Sequence, residues 1–471
     1  MRISFNTPIV PEKLSKHNGY GYATDRMLAS LNNLGYEVSG SDARPSPMTA
    51  RLADRVGITV YDHHAAAHVA GADVVVVSSA VPASNPEALE ARRLGIPVIP
   101  RAEMLAELMR LKFSIAVAGS HGKTTTTSMI ALVLERAGLD PTAVIGGRLS
   151  VFGSNARLGH GEFLVAEADE SDRSFLMLWP SIAVITNIDH EHMEAYGTLD
   201  ELQAAFGQFA GKVPFYGTVV ACADDPHVAD LLPRLTRRVV TYGFDEAAQV
   251  RATDVELGAF GGRCRVHRRG AEAGDDLGLL ELTVPGRHNL QNALAAIAVG
   301  ERIGIGFHQV AAALRDFQGA ERRFERHGEA GGVLVVDDYG HHPTEIAAVL
   351  AAARATLSRR LVVVFQPHRY SRTHQLFDAF GPALAGADEI VLTGIYGAGE
   401  EPIAGITAEA LAGAIRQGSG RPVRVVDSLD AAVAAVVALV RPGDAVITMG
   451  AGSIGSLPPR IVQALGQEGR S

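Results

Sequence analysis

Runs of valine and isoleucine recur along the 471 residues of this chain, and most lead into an alanine-rich stretch with helical spacing. "ADVVVVSS" and "IPVIP" come early. "FSIAVAG", "FLVAEAD", "IAVITN", "TVVACAD" and "RVVTYG" fill the middle, and "VLVVDDY", "LVVVFQPH", "EIVLTGIY" and "DAVITMG" come last. Continuous β-branched runs lack the alternation of a half-wet strand, so they read as strands covered on both faces, in parallel sheets. The fold class is therefore α/β. "PTEIAAVLAAARATL" reads as a helix: Pro343 suits the first turn, and Ile346, Leu350 and Leu357 share a face. At roughly 150 residues per domain the length gives about three domains. Their boundaries fall near Arg101–Leu111 and Phe317–Arg323, giving 1–105, 106–319 and 320–471. From about Ala248 to Leu282 the texture changes to short, Gly- and Arg-rich alternating runs, which predict an antiparallel appendage to the middle domain.

Hydrophobic residues make up 47% and charged residues 20%, the balance of a soluble protein with real cores. The net charge of -9 argues against nucleic acid as a partner, which asks for a basic face. The start, "MRISFNTPIV", lacks the regions of a signal peptide. The longest apolar run, Ala431–Val440, is about half a bilayer span. The expectation is a cytoplasmic protein with no membrane partner. The only cysteines, Cys222 and Cys264, are far apart in sequence and fit a reducing compartment.

"VAGSHGKTTTT" carries the chemistry. It follows an apolar run and precedes a helical one, and it is two residues shorter than the common phosphate loop. Gly119 and Gly122 let backbone N–H groups of Ser120 and His121 turn inward, and a helix N-terminus adds favourable field for anions. Lys123 reaches terminal phosphates as a point charge, and the hydroxyl of Thr124 or Thr125 meets Mg²⁺. "VAEADESD" ends the next run with Glu167, Asp169, Glu170 and Asp172. Four acids in six residues cannot all be metal ligands, and Glu167 is nearest the strand end. "ITNIDHEHMEAYG" brings His190 and His192 to a third strand end, as metal ligands, substrate contacts or structural histidines.

In order and spacing, "GYEVSGSD", "VVVVSSAVPASNPE", "GSHGKTTTT", "VAEADESDRSFL", "TNIDHEHMEAYG", "GRHNLQNALAA", "RRFE", "DDYGHHPTEI" and "FQPHRYSRT" resemble the Mur ligase family of ATP-dependent amide-forming enzymes. The resemblance runs from about Gly35 to the C-terminus, and the last two motifs favour its alanine-adding branch. It implies a Rossmann-like N-terminal domain for a UDP-sugar, a central P-loop ATPase domain, and a C-terminal Rossmann-like domain that closes over an amino acid. It implies ATP and Mg²⁺, with UDP-N-acetylmuramate and L-alanine joined through an acyl phosphate by a monomer or homodimer.

By the same resemblance, Lys123 and Thr124 hold ATP phosphates, and Thr124, Glu167 and His192 look like Mg²⁺ ligands. His288, Asn289 and Asn292 lie on the adenine side. Arg323 reaches the phosphates from the hinge, and Asp338 is a ribose-side acid. Tyr339, His341, His368, Arg369 and Arg372 receive the amino acid, with His341 a candidate to orient or deprotonate its amine. Ser41, Asp42, Ser78 and Ser79 look like part of the UDP-sugar site. The residues independently allow a carboxylate receptor at "PHRYSR": Arg369 and Arg372 follow a strand, three apart, and would share a face if a helix begins there.

The chain departs from the family near its start. The usual G-x-G-G-x-G-M turn is reduced to Gly19 and Gly21, after an insertion with Pro8 and Pro11, and Tyr20 and Tyr22 would crowd a phosphate. Glu191 stands where the family commonly has Asp. Gly207 and Gln208 stand where several relatives carry a modified lysine, so none is expected here. Two other readings stay open: a related ligase acting on a murein peptide, and a nucleotide-binding regulator with an altered first domain.

Overall fold

The computed structural model of the chain describes residues 2–6, 28, 31–32, 35–42, 53, 57–78, 81–149, 154–157, 159–258, 261–269, 275–319 and 322–468. Gly19, Tyr20, Gly21, Tyr22 and Ser79 lie outside the described residues.

The first sheet holds β1 (Arg2–Asn6), β2 (Glu37–Ser41), β3 (Thr59–Tyr61), β4 (Val74–Val77) and β5 (Val98–Pro100) in the order β3-β2-β1-β4-β5. Every pairing is parallel. The order reverses between β1 and β4, so the strand C-termini open a crevice there. Ser41 ends β2 and Ser78 follows β4, at that end of the sheet.

The middle sheet has ten strands: β6 (Phe113–Ala118), β7 (Thr142–Leu149), β8 (Ser154–Arg157), β9 (Phe163–Glu167), β10 (Ile182–Ile185), β11 (Thr218–Cys222), β12 (Val239–Gly243), β13 (Val250–Gly258), β14 (Gly261–Arg268) and β15 (Asp275–Leu282). Their order is β15-β14-β13-β12-β11-β10-β6-β9-β7-β8. Strands β6, β9, β10, β11 and β12 form the parallel centre, while β13–β14–β15 pair antiparallel, as the change of texture predicts. A second antiparallel edge, β7 with β8, is not legible in the sequence.

Alternation in β6 shows why its run is unbroken. Ile115 and Val117 pack into the core on one face of the sheet, and Ala116 and Ala118 into the core on the other. A fully buried aliphatic side chain contributes about 1.5–3 kcal/mol. A polar substitution on either face therefore loses that burial and strands a polar group.

The third sheet holds β16 (Glu325–Ala330), β17 (Val333–Asp338), β18 (Leu361–Phe365), β19 (Glu389–Thr393), β20 (Val423–Val426) and β21 (Ala445–Met449), ordered β16-β17-β21-β18-β19-β20. Only β16 runs antiparallel, at the edge beside the chain's entry. The helix Pro343–Thr356 starts at its proline and buries Ile346, Val349, Leu350 and Ala353. Leu357 is its C-cap, buried in the same core. The apolar run near Ala431 is the helix Leu429–Leu439, capped by Ser428. Among the described residues no helix is long and apolar enough to cross a membrane.

Cys222 and Cys264 are free thiols in the central core. Burial pushes each up to about 12.

Candidate active site

Strand β6 delivers the phosphate loop, and two glycines let it lie flat against its neighbours. Gly119 has φ 142° and Gly122 φ 80°. A Cβ on Gly119 would stand 2.0 Å from Thr186 Oγ1, and one on Gly122 would stand 2.8 Å from Asn292 Oδ1. The loop is pinned to the end of β10. Ser120 N donates to Asn187 O (3.1 Å), His121 N to Asn187 Oδ1 (2.7 Å), and Thr186 Oγ1 to His121 O (2.6 Å). The helix Lys123–Arg136 then begins at Gly122 with no side-chain cap, so its first amides face the loop as anion donors.

Lys123 Nζ donates to Gly119 O (2.6 Å), Ser120 O (3.2 Å) and Glu170 Oε1 (2.9 Å). Burial opposes its charge, but Glu170, Asp169 and Glu167 outweigh burial and hold the ammonium above its usual range. Thr124 Oγ1 donates to Glu167 Oε1 (2.9 Å), so Glu167 stands beside the loop hydroxyl. Thr125 is buried behind them in the helix.

His192 has φ 58° and precedes the short helix Met193–Tyr196. Its Nε2 lies 3.7 Å from Glu170 Oε1 and 3.9 Å from Glu191 Oε2, and the ligand atoms of these three residues lie within 4.8 Å of one another. Burial lowers the His192 ring, but Glu194 and Glu170 outweigh it and raise the ring. Glu170 Oε2 is buried without a hydrogen-bond partner. Two carboxylates with one imidazole, one carboxylate oxygen among them orphaned, form a donor set that fits Mg²⁺. Glu170, which the sequence does not single out among its acidic neighbours, belongs to this group. His190 does not join this group, and its N–H donates to Asp189 Oδ1 (2.8 Å).

Of the residues expected on the adenine side, Asn289 Nδ2 donates to Pro285 O (2.7 Å) and Asn292 Nδ2 reaches Asn289 Oδ1 (3.5 Å). Asn292 thereby faces the loop at Gly122. Burial and then the charge of Arg323 pull His288 down to about 4, so it is neutral.

The C-terminal domain meets the loop directly. Asp189 Oδ2 takes His121 Nε2 (2.8 Å) and Thr344 Oγ1 (2.7 Å). Glu345 Oε1 lies 3.5 Å from His121 Nδ1 and 3.5 Å from Arg323 Nη1. Burial works against the His121 charge, but Asp189 and Glu345 push the ring up to about 10. Arg323 also stands 5.5 Å over the Tyr339 ring.

Asp338, expected on the ribose side, is buried at the end of β17. Its two oxygens accept Phe324 N (2.8 Å) and Gly340 N (2.7 Å), and burial, opposed by Arg323, raises it to about 6. It ties β17 to the hinge, where Arg322 and Phe324 both have positive φ.

His341, His368 and Arg372 stay together. The His341 ring is 5.7 Å from His368, and Arg372 Nη1 is 3.3 Å from His368 Nδ1. Arg369 and Arg372 do not share a helical face, because Arg369 caps the helix Tyr370–Gln375 from outside, with φ 66°. Arg369 approaches Glu400 (4.0 Å), while Arg372 crosses to Glu191 (3.6 Å). Both arginines, with His190, Glu191 and His192, line a cleft between the central and C-terminal domains.

A separate cluster occupies the first domain. Ser41 Oγ donates to Glu87 Oε2 (2.7 Å) and lies 2.9 Å from His64 Nδ1. Glu87 Oε1 accepts from Ala65 N (3.2 Å) and faces His68 Nδ1 (2.8 Å). Asp42 N donates to Tyr61 O (2.9 Å) beside this cluster. Sequence reasoning missed Glu87, Asp189 and Glu345. Glu345 alone left a local signal, standing three residues after the cap His342 as a capping box requires.

Models of three families match the chain: Mur ligase family, catalytic domain, over residues 26–113; Mur ligase middle domain over 117–300; and Mur ligase, glutamate ligase domain, over 322–452. The UDP-N-acetylmuramate–L-alanine ligase of Solibacter usitatus is 52% identical over 441 residues, covering 93% of this chain and 92% of that protein. The enzyme of that name from Myxococcus xanthus is 53% identical over 435 residues, covering 92% and 91%. The crystal structure of UDP-N-acetylmuramate–alanine ligase from Thermotoga maritima matches with a TM-score of 0.78 at 28% identity, covering 99% of this chain and 100% of that one. A murein peptide ligase from Psychrobacter arcticus matches with a TM-score of 0.67 at 25% identity, covering 98% of each.

Proposed function

Because the chain belongs to the Mur ligase family, we propose that it joins L-alanine to the carboxylate of UDP-N-acetylmuramate with conversion of ATP to ADP and phosphate, a step of peptidoglycan precursor synthesis. The observation that carries this reading is the meeting of a phosphate loop with a wall of arginines and histidines from the next domain: Glu345 on His121, Thr344 on Asp189, Arg372 on Glu191. A carboxylate can be phosphorylated on one side of that junction and meet an amine on the other.

The sugar-linked carboxylate oxygen would attack the γ-phosphorus, the bond to ADP would break, and an acyl phosphate would form. The amine nitrogen would then attack the acyl carbon, lose a proton and expel phosphate. Lys123 and Arg323 would neutralise charge on the transferring group, and the loop amides would orient it. Lys123 leaves Glu170 to do so. Bound at Thr124, Glu167 and His192, with Glu170 adjacent, Mg²⁺ would supply further charge neutralisation. Asn289 and Asn292 would face the adenine side. Arg369, Arg372 and His368 would receive the amino-acid carboxylate, with Tyr339 and His341 beside the amine. Ser41, Asp42, Ser78 and Ser79 would contact the UDP-sugar. Closure of the junction would keep water from the acyl phosphate.

The working division is 1–105, 106–319 and 320–471 for the UDP-sugar, nucleotide and amino-acid domains, in a cytoplasmic monomer or homodimer. A phosphate-release assay with ATP, UDP-N-acetylmuramate and a panel of amino acids and peptides tests the reading. Alanine-dependent turnover is expected. Release with a murein peptide but not alanine would give the related ligase instead, and ATP binding without substrate-stimulated turnover would give a regulator.

A further inference from the structure

Glu345 touches more of the junction than any role assigned above requires. Oε2 faces its own helix start: His341 N at 3.1 Å, His342 N at 3.5 Å and His341 Nδ1 at 3.3 Å. Oε1 faces the other way, to His121 of the phosphate loop and Arg323 of the hinge. A capping box needs only the backbone contact. The remaining contacts join the wall that would receive the amine to the loop that would hold phosphate.

The surroundings of His341 fix its proton. Nδ1 is 3.2 Å from Tyr339 O and 3.3 Å from Glu345 Oε2, and both are acceptors. Two acceptors facing one ring nitrogen put the hydrogen there and leave the lone pair on Nε2. Burial, and then Arg372, hold the ring well below its ordinary value, so it is neutral, while the Glu345 charge works in the opposite direction.

We propose that Glu345 is a positioning residue, one oxygen holding His341 as the Nδ1–H tautomer with Nε2 ready to accept the amine proton, the other holding His121 and Arg323 toward the phosphate. This rests on the reading of the site as an acid–amino-acid ligase. Amine attack on the acyl carbon then transfers one N–H proton to Nε2 as the phosphate leaves. Glu345 itself touches no reacting atom.

Two measurements test it. In the ligand-free protein, ¹⁵N spectra of the histidine rings, with His341→Asn to assign the signal, should show the proton on Nδ1. A proton on Nε2 overturns the proposal whatever the enzyme turns over. Second, Glu345→Gln keeps an oxygen for the cap but removes the charge shared by His121 and Arg323, so its unfolding midpoint should fall while the protein stays folded at assay temperature. Its kcat should fall about 100-fold, in the range of general-base assistance, with the KM for UDP-N-acetylmuramate within about twofold. Glu345→Asp, which keeps the charge, should recover part of the rate. Wild-type kcat in Glu345→Gln would reduce Glu345 to a helix cap. Failure of the wild type to release phosphate with alanine would instead sink the functional reading, leaving the tautomer to decide this one.

Discussion

Glu87 and Glu345 stand near the starts of two helices that both open with proline, Pro86 and Pro343. Glu87 is fully buried and all its partners belong to the first domain: the Ser41 hydroxyl, the Ala65 amide and the His68 ring. Glu345 shares its carboxylate between its own helix and two cations from elsewhere, His121 and Arg323. A carboxylate satisfied inside one domain stiffens a site. One satisfied across a junction makes the position of each side depend on the other. Glu170 is the third case, a buried acid whose cation, Lys123, would leave it to serve the substrate in the function proposed above.

The Glu170 case should give the largest effect. Lys123→Ala should lower turnover at least about 1000-fold by removing charge at the transferring phosphoryl group. It also strands Glu170, at about 3 kcal/mol of stability. Adding Glu170→Gln should restore thermal stability but not phosphate release. Near-normal turnover in Lys123→Ala would break the assignment of the loop.

Glu87→Ala should come next. It leaves a hydroxyl, an amide and an imidazole without their acceptor, so denaturant unfolding should show a loss of about 2–3 kcal/mol. The KM for the UDP-sugar should rise and that for ATP should not. If the KM for ATP rises in Glu87→Ala and that for the UDP-sugar does not, the contrast between the two acids fails.

Arg369→Ala probes the outer wall of the junction. Its contact with Glu400 is loose, so the guanidinium is available to a carboxylate, and the KM for alanine should rise about tenfold with kcat less affected. An unchanged KM would remove Arg369 from the amino-acid subsite.

The smallest effect belongs to Thr344→Val, which loses only the hydrogen bond to Asp189, about 1 kcal/mol, read as a small fall in the unfolding midpoint. The neighbouring His121 adds a pH signature. Its folded value, about 10, lies above its ordinary 6.5, so its stabilisation is complete below about 6.5 and is lost as pH rises through about 10. Stability followed across that window in the wild type and in His121→Asn should converge at its alkaline end.

What the sequence revealed was local. Gly-Ser-His-Gly-Lys-Thr after an apolar run announced a phosphate loop, and Glu167 at the end of β9 does reach Thr124. Glu170 was hidden because three other acids surround it, and nothing local shows which one turns inward. Asp189 and Glu345 were hidden because each joins residues of two domains, Asp189 to His121 and Thr344 and Glu345 to His121 and Arg323. Asp338 has the ligand-facing position of an acid at a strand end, and what the sequence does not show is that its oxygens also accept two backbone amides. Arg369 and Arg372 have helical spacing, yet the backbone at Arg369 has positive φ and the pair diverges.

The two sealed thiols have a practical use. Cys222 and Cys264 lie in the core with their thiolates strongly disfavoured, so alkylating reagents at neutral pH should leave the folded protein unlabelled. Cysteines introduced at Arg93 and Gln417, both exposed, would then be the sole reactive sites. A dye pair there turns the wild-type background into a blank, against which the separation of the first and third domains can be followed one molecule at a time.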